Sequence, residues 1–259
     1  MCADDHCQRY QGVTRQTSPL VEQAVAETEG VVLLYEDQVC DARFSKSCGG
    51  ITETFEKVWE PTVHPYLKCV YDSSMKSPEP EGRLTIDEEA DKWIRTSPEA
   101  FCNTKDHKVL SQVLNDYDQE TTDFYRWKVE YTQTELSELI SRKTGFDFGE
   151  ILDLVPLERG HSGRIIKLRI SGTTKEYIFG KELQIRKILS NSHLYSSAFV
   201  VDRYDLTDGV PARFVLTGAG WGHGVGLCQI GAAMMGEKGY PYKEILSHYF
   251  VGAELEKMY

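Results

Sequence analysis

Apolar and polar positions follow two rhythms along this chain, and the switch between them marks out its elements. Behind Pro19, the positions Leu20, Val21, Ala24, Val25 and Thr28 recur at spacings of three and four, which predicts a helix stopped by Gly30. Residues 31–35 are a β-branched apolar run; Glu36-Asp37 turns it and residues 39–44 return, so a hairpin is expected. Thr85 with Glu88 has capping-box spacing ahead of Ala90, Trp93 and Ile94, and Ser97-Pro98 reads as a cap followed by proline at the first helical position. Residues 126–131 alternate as a strand. Thr132 with Glu135 then opens a helix through Leu136, Leu139 and Ile140, which Gly145 ends. Strands are predicted over 165–170, 176–179, 198–201 and 213–217, and helices over 180–188, 229–235 and 242–250. Hairpins outnumber any βαβ pattern, so the expected class is α+β: a mixed or antiparallel sheet with packed helices and an inserted helical segment. The expected parts are residues 1–73, a helical insertion over 74–125, and residues 126–259.

The chain has 259 residues, 41% of them hydrophobic and 27% charged, enough for one large core or two small ones. A formal net charge of −11 argues against nucleic acid as a partner, because phosphate neutralisation needs clustered Lys and Arg. No stretch approaches the ~20 apolar residues of a membrane helix. Residues 1–10 have neither the basic start nor the apolar run of a signal peptide, so the chain is expected to begin inside a longer or processed protein. Seven cysteines, an odd number at irregular spacing, point to reduced or metal-bound thiols, with one disulfide among Cys40, Cys48 and Cys69 left open.

The densest motif lies at residues 218–232, where glycines alternate around Trp221 and His223 before a helix opens at Gln229. Glycines there permit positive φ and close approach of a ligand or another backbone. Trp221 offers a stacking face for a sugar, His223 a proton donor or acceptor, and the helix start a cradle for an acyl or carboxylate oxygen. The competing structural role is a tight turn whose Trp and His fill space. No Gly-Lys-Ser/Thr is present, so this is no phosphate-binding Walker loop. A second polar loop, residues 45–52, carries hydroxyls and glycines suited to sugar hydroxyl and N-acetyl groups, with Ser47, Gly49, Gly50 and Thr52 as candidates; a plain hairpin exit explains it equally. Cys48 within it is a buried small residue or a nucleophile without an assignable base. Cys2, His6 and Cys7 are donors suited to a structural zinc, set against a terminus bearing free thiols. Glycan cleavage uses paired carboxylates, yet among 40 acidic residues the sequence selects none; Glu53 and Glu60 lie near aromatics and read as surface groups. Trp59, His64 and Tyr66 line a groove or fill a core.

Residues 221–232, followed by Gly239-Tyr240, Tyr242, Ile245-Leu246 and His248-Tyr249-Phe250, resemble the C-terminal signature of the stage II sporulation protein D and amidase-enhancer family. Gly163-Arg164 is similar to that family's Gly-Arg strand, and Ser47-Cys48-Gly49-Gly50 with Thr52-Glu53 to its Ser-Ser-Gly-Gly-x-Thr-Glu loop. Val58-Trp59, Pro65-Tyr66-Leu67 and Cys7-Gln8-x-Tyr10-x-Gly12 fit as well. The resemblance implies peptidoglycan as partner, on the wall side of the membrane: a lytic transglycosylase acting on glycan strands stripped of peptide stems, or a non-catalytic module that binds wall or enhances a cell-wall amidase. In the former, one carboxylic acid protonates the glycosidic oxygen while the muramyl 6-hydroxyl closes an anhydro ring. The family's proposed acid sits in an N-terminal Tyr-Leu-x-Gly-Val-Val-type segment that has no counterpart here, so no catalytic residue is assigned and the chain alone is expected to be inactive. Carried over are the metal-type trio Cys2, His6 and Cys7 and, for the groove, Ser47, Gly49, Gly50, Thr52, Trp221, Gly222, His223 and Gln229. A reduced thiol or metal protein unrelated to the wall is the third alternative.

Overall fold

A computed structural model describes residues 18–74, 83–114 and 121–259. The class is α+β, with eight helices and eleven strands among the described residues. The contacts divide the chain into two units, residues 1–40 with 254–259 and residues 41–253.

In the first unit, α1 (Pro19–Glu27) begins where the Ser18 hydroxyl accepts the Val21 N–H and proline occupies the first turn. β1 (Val31–Tyr35) follows, paired antiparallel on one side with β2 (Gln38–Val39) and on the other with β11 (Glu254–Lys257). The predicted hairpin is therefore present but its return arm is short. Its far end, β3 (Phe44–Ser45), pairs in parallel with β10 (Leu227–Cys228) within the second unit.

The second unit is built on two antiparallel three-stranded sheets. One orders β4 (Arg126–Thr132), β9 (Val210–Ala219) and β8 (Phe199–Thr207); the other orders β5 (Ile151–Arg159), β6 (Ile165–Gly172) and β7 (Glu176–Gly180). Trp127, Ile151, Leu154, Ile165, Leu168, Ile170, Phe199, Phe214 and Leu216 of these strands form one core. Leu136 and Ile140 of α5 (Gln133–Thr144) and Ile185 and Ile188 of α6 (Glu182–Ile188) complete it. The α5 capping box forms as its spacing predicts: Thr132 Oγ1 accepts the Glu135 N–H, and Glu135 accepts the Thr132 N–H at 2.8 Å. α7 (Gln229–Glu237) and α8 (Tyr242–Tyr249) follow the glycine motif.

Several local expectations fail for identifiable reasons. Thr85 does not cap a helix: α3 (Asp87–Arg95) starts two residues later behind Ile86, with no side-chain cap. Asp87 is drawn instead to the buried Arg159, 2.6 Å away. Ser97-Pro98 opens no helix, because its backbone is committed elsewhere: the Pro98 carbonyl accepts from Tyr125 Oη and Asn103 Nδ2, and the next helix, α4 (His107–Val113), is capped by Asp106. β5 is missed by periodicity; it is an edge strand carrying Pro156 and several register shifts, a position where proline is tolerated. β8 runs beyond the predicted 198–201 into an exposed polar stretch, closed onto β9 by Asp208-Gly209, both at positive φ. The described part of the expected insertion, residues 83–114 with 121–125, holds α3 and α4.

Candidate functional site

The three segments that carry the sequence motifs converge on two buried charges in the second unit. Arg164 has no exposed surface. Its guanidinium donates to the Gly222 carbonyl at 3.2 Å, to the Cys48 carbonyl at 3.3 Å and to Ser162 Oγ at 2.9 Å. It thereby ties the loop at residues 45–52 to the glycine motif. Burial lowers its pKa, and Glu182 and Glu53 offset this. Glu53, also fully buried, accepts from the N–H groups of Thr54, His161 and Ser162 and from Ser162 Oγ at 2.7–3.0 Å. Its own N–H donates to the Gly224 carbonyl. Gly224 sits at φ +80° directly over Arg164: a Cβ there would lie 2.4–2.7 Å from the guanidinium atoms. No other residue type lets the loop approach the arginine this closely.

Beside this scaffold opens a cleft of about 720 Å³, lined by Arg43, Phe55, Trp59, Glu60, Lys181, Glu182, Arg186, Lys187 and His223 among others. α2 (Phe55–Val58) supplies Phe55 and presents Trp59 just after its end. Trp59 packs against His223, ring centroids 4.7 Å apart, and the Arg43 guanidinium lies 4.7 Å from the Trp59 ring. Lys181 Nζ donates to the Trp59 carbonyl at 2.6 Å, closing one wall. On the floor Arg186 pairs with Glu182 at 3.2 Å, both nearly inaccessible. Four cations against two carboxylates make this cleft basic on an acidic chain.

His223 is held as a neutral ring. Its Nδ1 accepts the Val225 N–H at 3.0 Å, so the proton resides on Nε2, beside a backbone hydrogen bond at Phe44. Desolvation, then Arg164, Arg186 and Arg43, push its pKa down to about 3. With both nitrogens engaged, it shapes the cleft rather than shuttling protons.

Behind the motif lies a second cluster. Cys48, Asp72, Cys102 and Cys228 present four donor atoms within 4.8 Å of one another, all buried. Cys48 and Cys102 Sγ are 3.6 Å apart, and the Cys48 N–H donates to Cys228 Sγ at 3.2 Å. Asp72 accepts from Tyr249 Oη at 2.6 Å and from the Cys102 N–H at 3.0 Å. Burial raises Asp72 and Cys48 well above their ordinary values and Cys102 to about 12; for Cys228, burial is outweighed by hydrogen bonds from Cys102 and Cys48, which bring it to about 6. None of the five described cysteines is in a disulfide.

Comparison with known proteins places this architecture. Residues 53–226 match the family described as Domain of unknown function (DUF8618). The chain belongs to that family. Among curated proteins, DUF8618 as represented by this chain is similar to the stage II sporulation protein D of Bacillus amyloliquefaciens, 27% identical over 92% of this chain and 51% of the relative. The stage II sporulation protein D of Bacillus subtilis (strain 168) is 26% identical over 92% and 51%. The amidase enhancer of the same strain is 24% identical over 90% of this chain and 32% of its own length. These relatives bear out the resemblance read from the motifs, and the chain spans only a third to a half of their lengths.

Within this DUF8618 chain the sequence candidates separate. His223 lines the cleft. Trp221 does not: its ring lies between Tyr195 and Phe124, at 4.3 and 4.9 Å, with Lys46 Nζ 4.6 Å above it. Gly222 contributes its carbonyl to Arg164, and Gln229 begins α7, half-exposed. Ser47, Gly49, Gly50 and Thr52 are all buried; Thr52 Oγ1 donates to the Lys68 carbonyl, and the Ser47 backbone bridges to Trp221. Glu53, read as a surface group, is the buried clamp described above, whereas Glu60 is exposed on the cleft rim. Tyr66 is buried and holds the Asp41 N–H through its hydroxyl, and His64 packs edge-on against Phe55. Cys2, His6 and Cys7 lie outside the described residues. Arg43, Lys181 and Arg186 escaped sequence reasoning, since no motif marks an isolated cation. The cluster at Asp72 escaped it too, although three cysteines spread over the chain were a visible cue.

Proposed function

We propose that this chain is the glycan-binding part of a peptidoglycan-processing protein on the wall side of the membrane. The observation that carries this reading is the basic, aromatic-walled cleft at Trp59, Arg43 and His223. Indole and phenyl edges offer apolar surface to sugar C–H faces. The cations suit an anionic polymer, and a glycan strand without peptide stems exposes the lactyl carboxylate of each muramic acid. The relatives named stage II sporulation protein D and amidase enhancer agree with the family resemblance from which the wall role is inferred, and among the described residues no helix is long and apolar enough to cross a membrane. Cleavage as a lytic transglycosylase requires a carboxylic acid that the resemblance assigns to none of these residues. The role proposed for the cleft is therefore binding, and no step of cleavage is assigned to these residues.

Sedimentation with purified sacculi tests the reading. The chain should pellet with sacculi stripped of stem peptides and less with peptide-bearing ones, and added salt should weaken binding. Trp59→Ala should cut affinity about tenfold, ~1.4 kcal/mol. Equal pelleting of wild type and Trp59→Ala, or no pelleting of either, would sink it. The amidase-enhancer relative favours one alternative, a non-catalytic activator of a cell-wall amidase. That reading wins if the chain stimulates such an amidase on sacculi while Trp59→Ala binds unchanged.

A further inference from the structure

The geometry points to a structural zinc site formed by Cys48, Asp72, Cys102 and Cys228, none of which lines the cleft. A tetrahedral zinc bonded at about 2.3 Å to sulfur and about 2.0 Å to oxygen holds its ligand atoms roughly 3.3–3.8 Å apart. Here the Cys48 and Cys102 sulfurs are 3.6 Å apart, and all four donors fall within 4.8 Å. Small side-chain rotations close the remainder. Three soft sulfurs and one carboxylate are a donor set that selects zinc over calcium or magnesium.

Burial and charge agree with the geometry. Asp72, Cys102 and Cys228 have no exposed surface and Cys48 only 2%. Among the described residues no cation pairs with Asp72, so a divalent ion would be the positive partner that holds this buried group as a carboxylate. The surroundings already resemble an outer shell that orients ligands: Tyr249 Oη donates to Asp72 Oδ1, the Cys102 N–H to Asp72 Oδ2, and the Cys48 N–H to Cys228 Sγ. Gly231 leaves room for this packing, since a Cβ there would lie 2.6 Å from Asp72 Oδ1 and 2.3 Å from Tyr249 Oη. The four ligands come from four separate segments, so the ion would fasten the loop at residues 45–52, both sides of the α3 region and the start of α7 together.

The test begins with a Cys2→Ser/Cys7→Ser chain, which removes the other thiol ligands. Purified without chelator, it should carry about one zinc per chain by mass spectrometry of the metal. Adding Cys48→Ser should reduce that to below about a fifth. Because any such variant can misfold, X-ray absorption at the zinc edge of the Cys2→Ser/Cys7→Ser chain gives an independent reading: three sulfurs and one light atom are expected. Thiol titration of that chain after denaturation and chelation should find all five remaining cysteines reactive. A metal-free chain, a zinc shell without sulfur, zinc retained in Cys48→Ser, or only three reactive thiols (a disulfide in the cluster) each overturns the site. None of these outcomes bears on glycan binding.

Discussion

Gly224 shows how much one residue type decides. Its left-handed backbone and its contact with the Arg164 guanidinium both exclude a side chain. Gly224→Ala should therefore cost ~2–4 kcal/mol by urea unfolding, combining backbone strain with displacement of a fully buried arginine. Gly236→Ala in α7, where an added Cβ meets nothing within 4 Å, should instead be neutral or stabilising by up to ~1 kcal/mol. Equal losses for the two would remove the close-approach explanation. That glycines alternate in this motif is plain in the sequence. That Gly224 serves an arginine 60 positions away is not, because nothing local to either residue encodes the pair.

Among the elements, legibility tracks how local the stabilising interaction is. α5 was readable because its cap, its apolar face and its terminal glycine all lie within the helix and its flanks. Thr132→Ala removes the bonds of Thr132 Oγ1 with the Glu135 N–H and carboxylate, while the backbone N–H of residue 132 still donates to Glu135, and should cost ~1 kcal/mol, lowering the melting temperature by about 2–4 °C. Thr85→Ala, at the same motif spacing but with no cap formed, should stay within about 0.5 kcal/mol of wild type. A loss for Thr85 matching that for Thr132 would mean α3 starts earlier than described. α3 begins behind Ile86 with no side-chain cap, and Asp87 in its first turn pairs with Arg159, 72 positions away, a contact that no local spacing encodes. β5 and the outer half of β8 were missed because edge and exposed strands lack the apolar alternation that periodicity detects, though the Asp208-Gly209 hairpin turn was a usable cue.

Acid stability belongs to the molecule as a whole. His223 is neutral in the fold with its pKa near 3, against 6.5 for an unperturbed histidine. The unfolded chain thus takes up a proton below about pH 6.5 that the native state refuses. Stability from this group is intact above that pH and is lost progressively as pH falls toward 3. Melting temperatures between about pH 7 and 4 should fall more steeply for wild type than for His223→Gln, whatever the variant's starting stability; parallel slopes would refute the neutral ring. The amino-acid order alone determined the α+β class, most helices and central strands, the family resemblance and the presence of a long glycine loop. Each of these rests on interactions spanning a few residues or on a contiguous motif. Only the tertiary structure decided which candidates face a cleft, that Glu53 is interior, and that Cys48, Asp72, Cys102 and Cys228 meet. Their partners are as much as 180 positions apart, and such contacts exist only once the core has closed over them and excluded the water that would otherwise satisfy their polar groups.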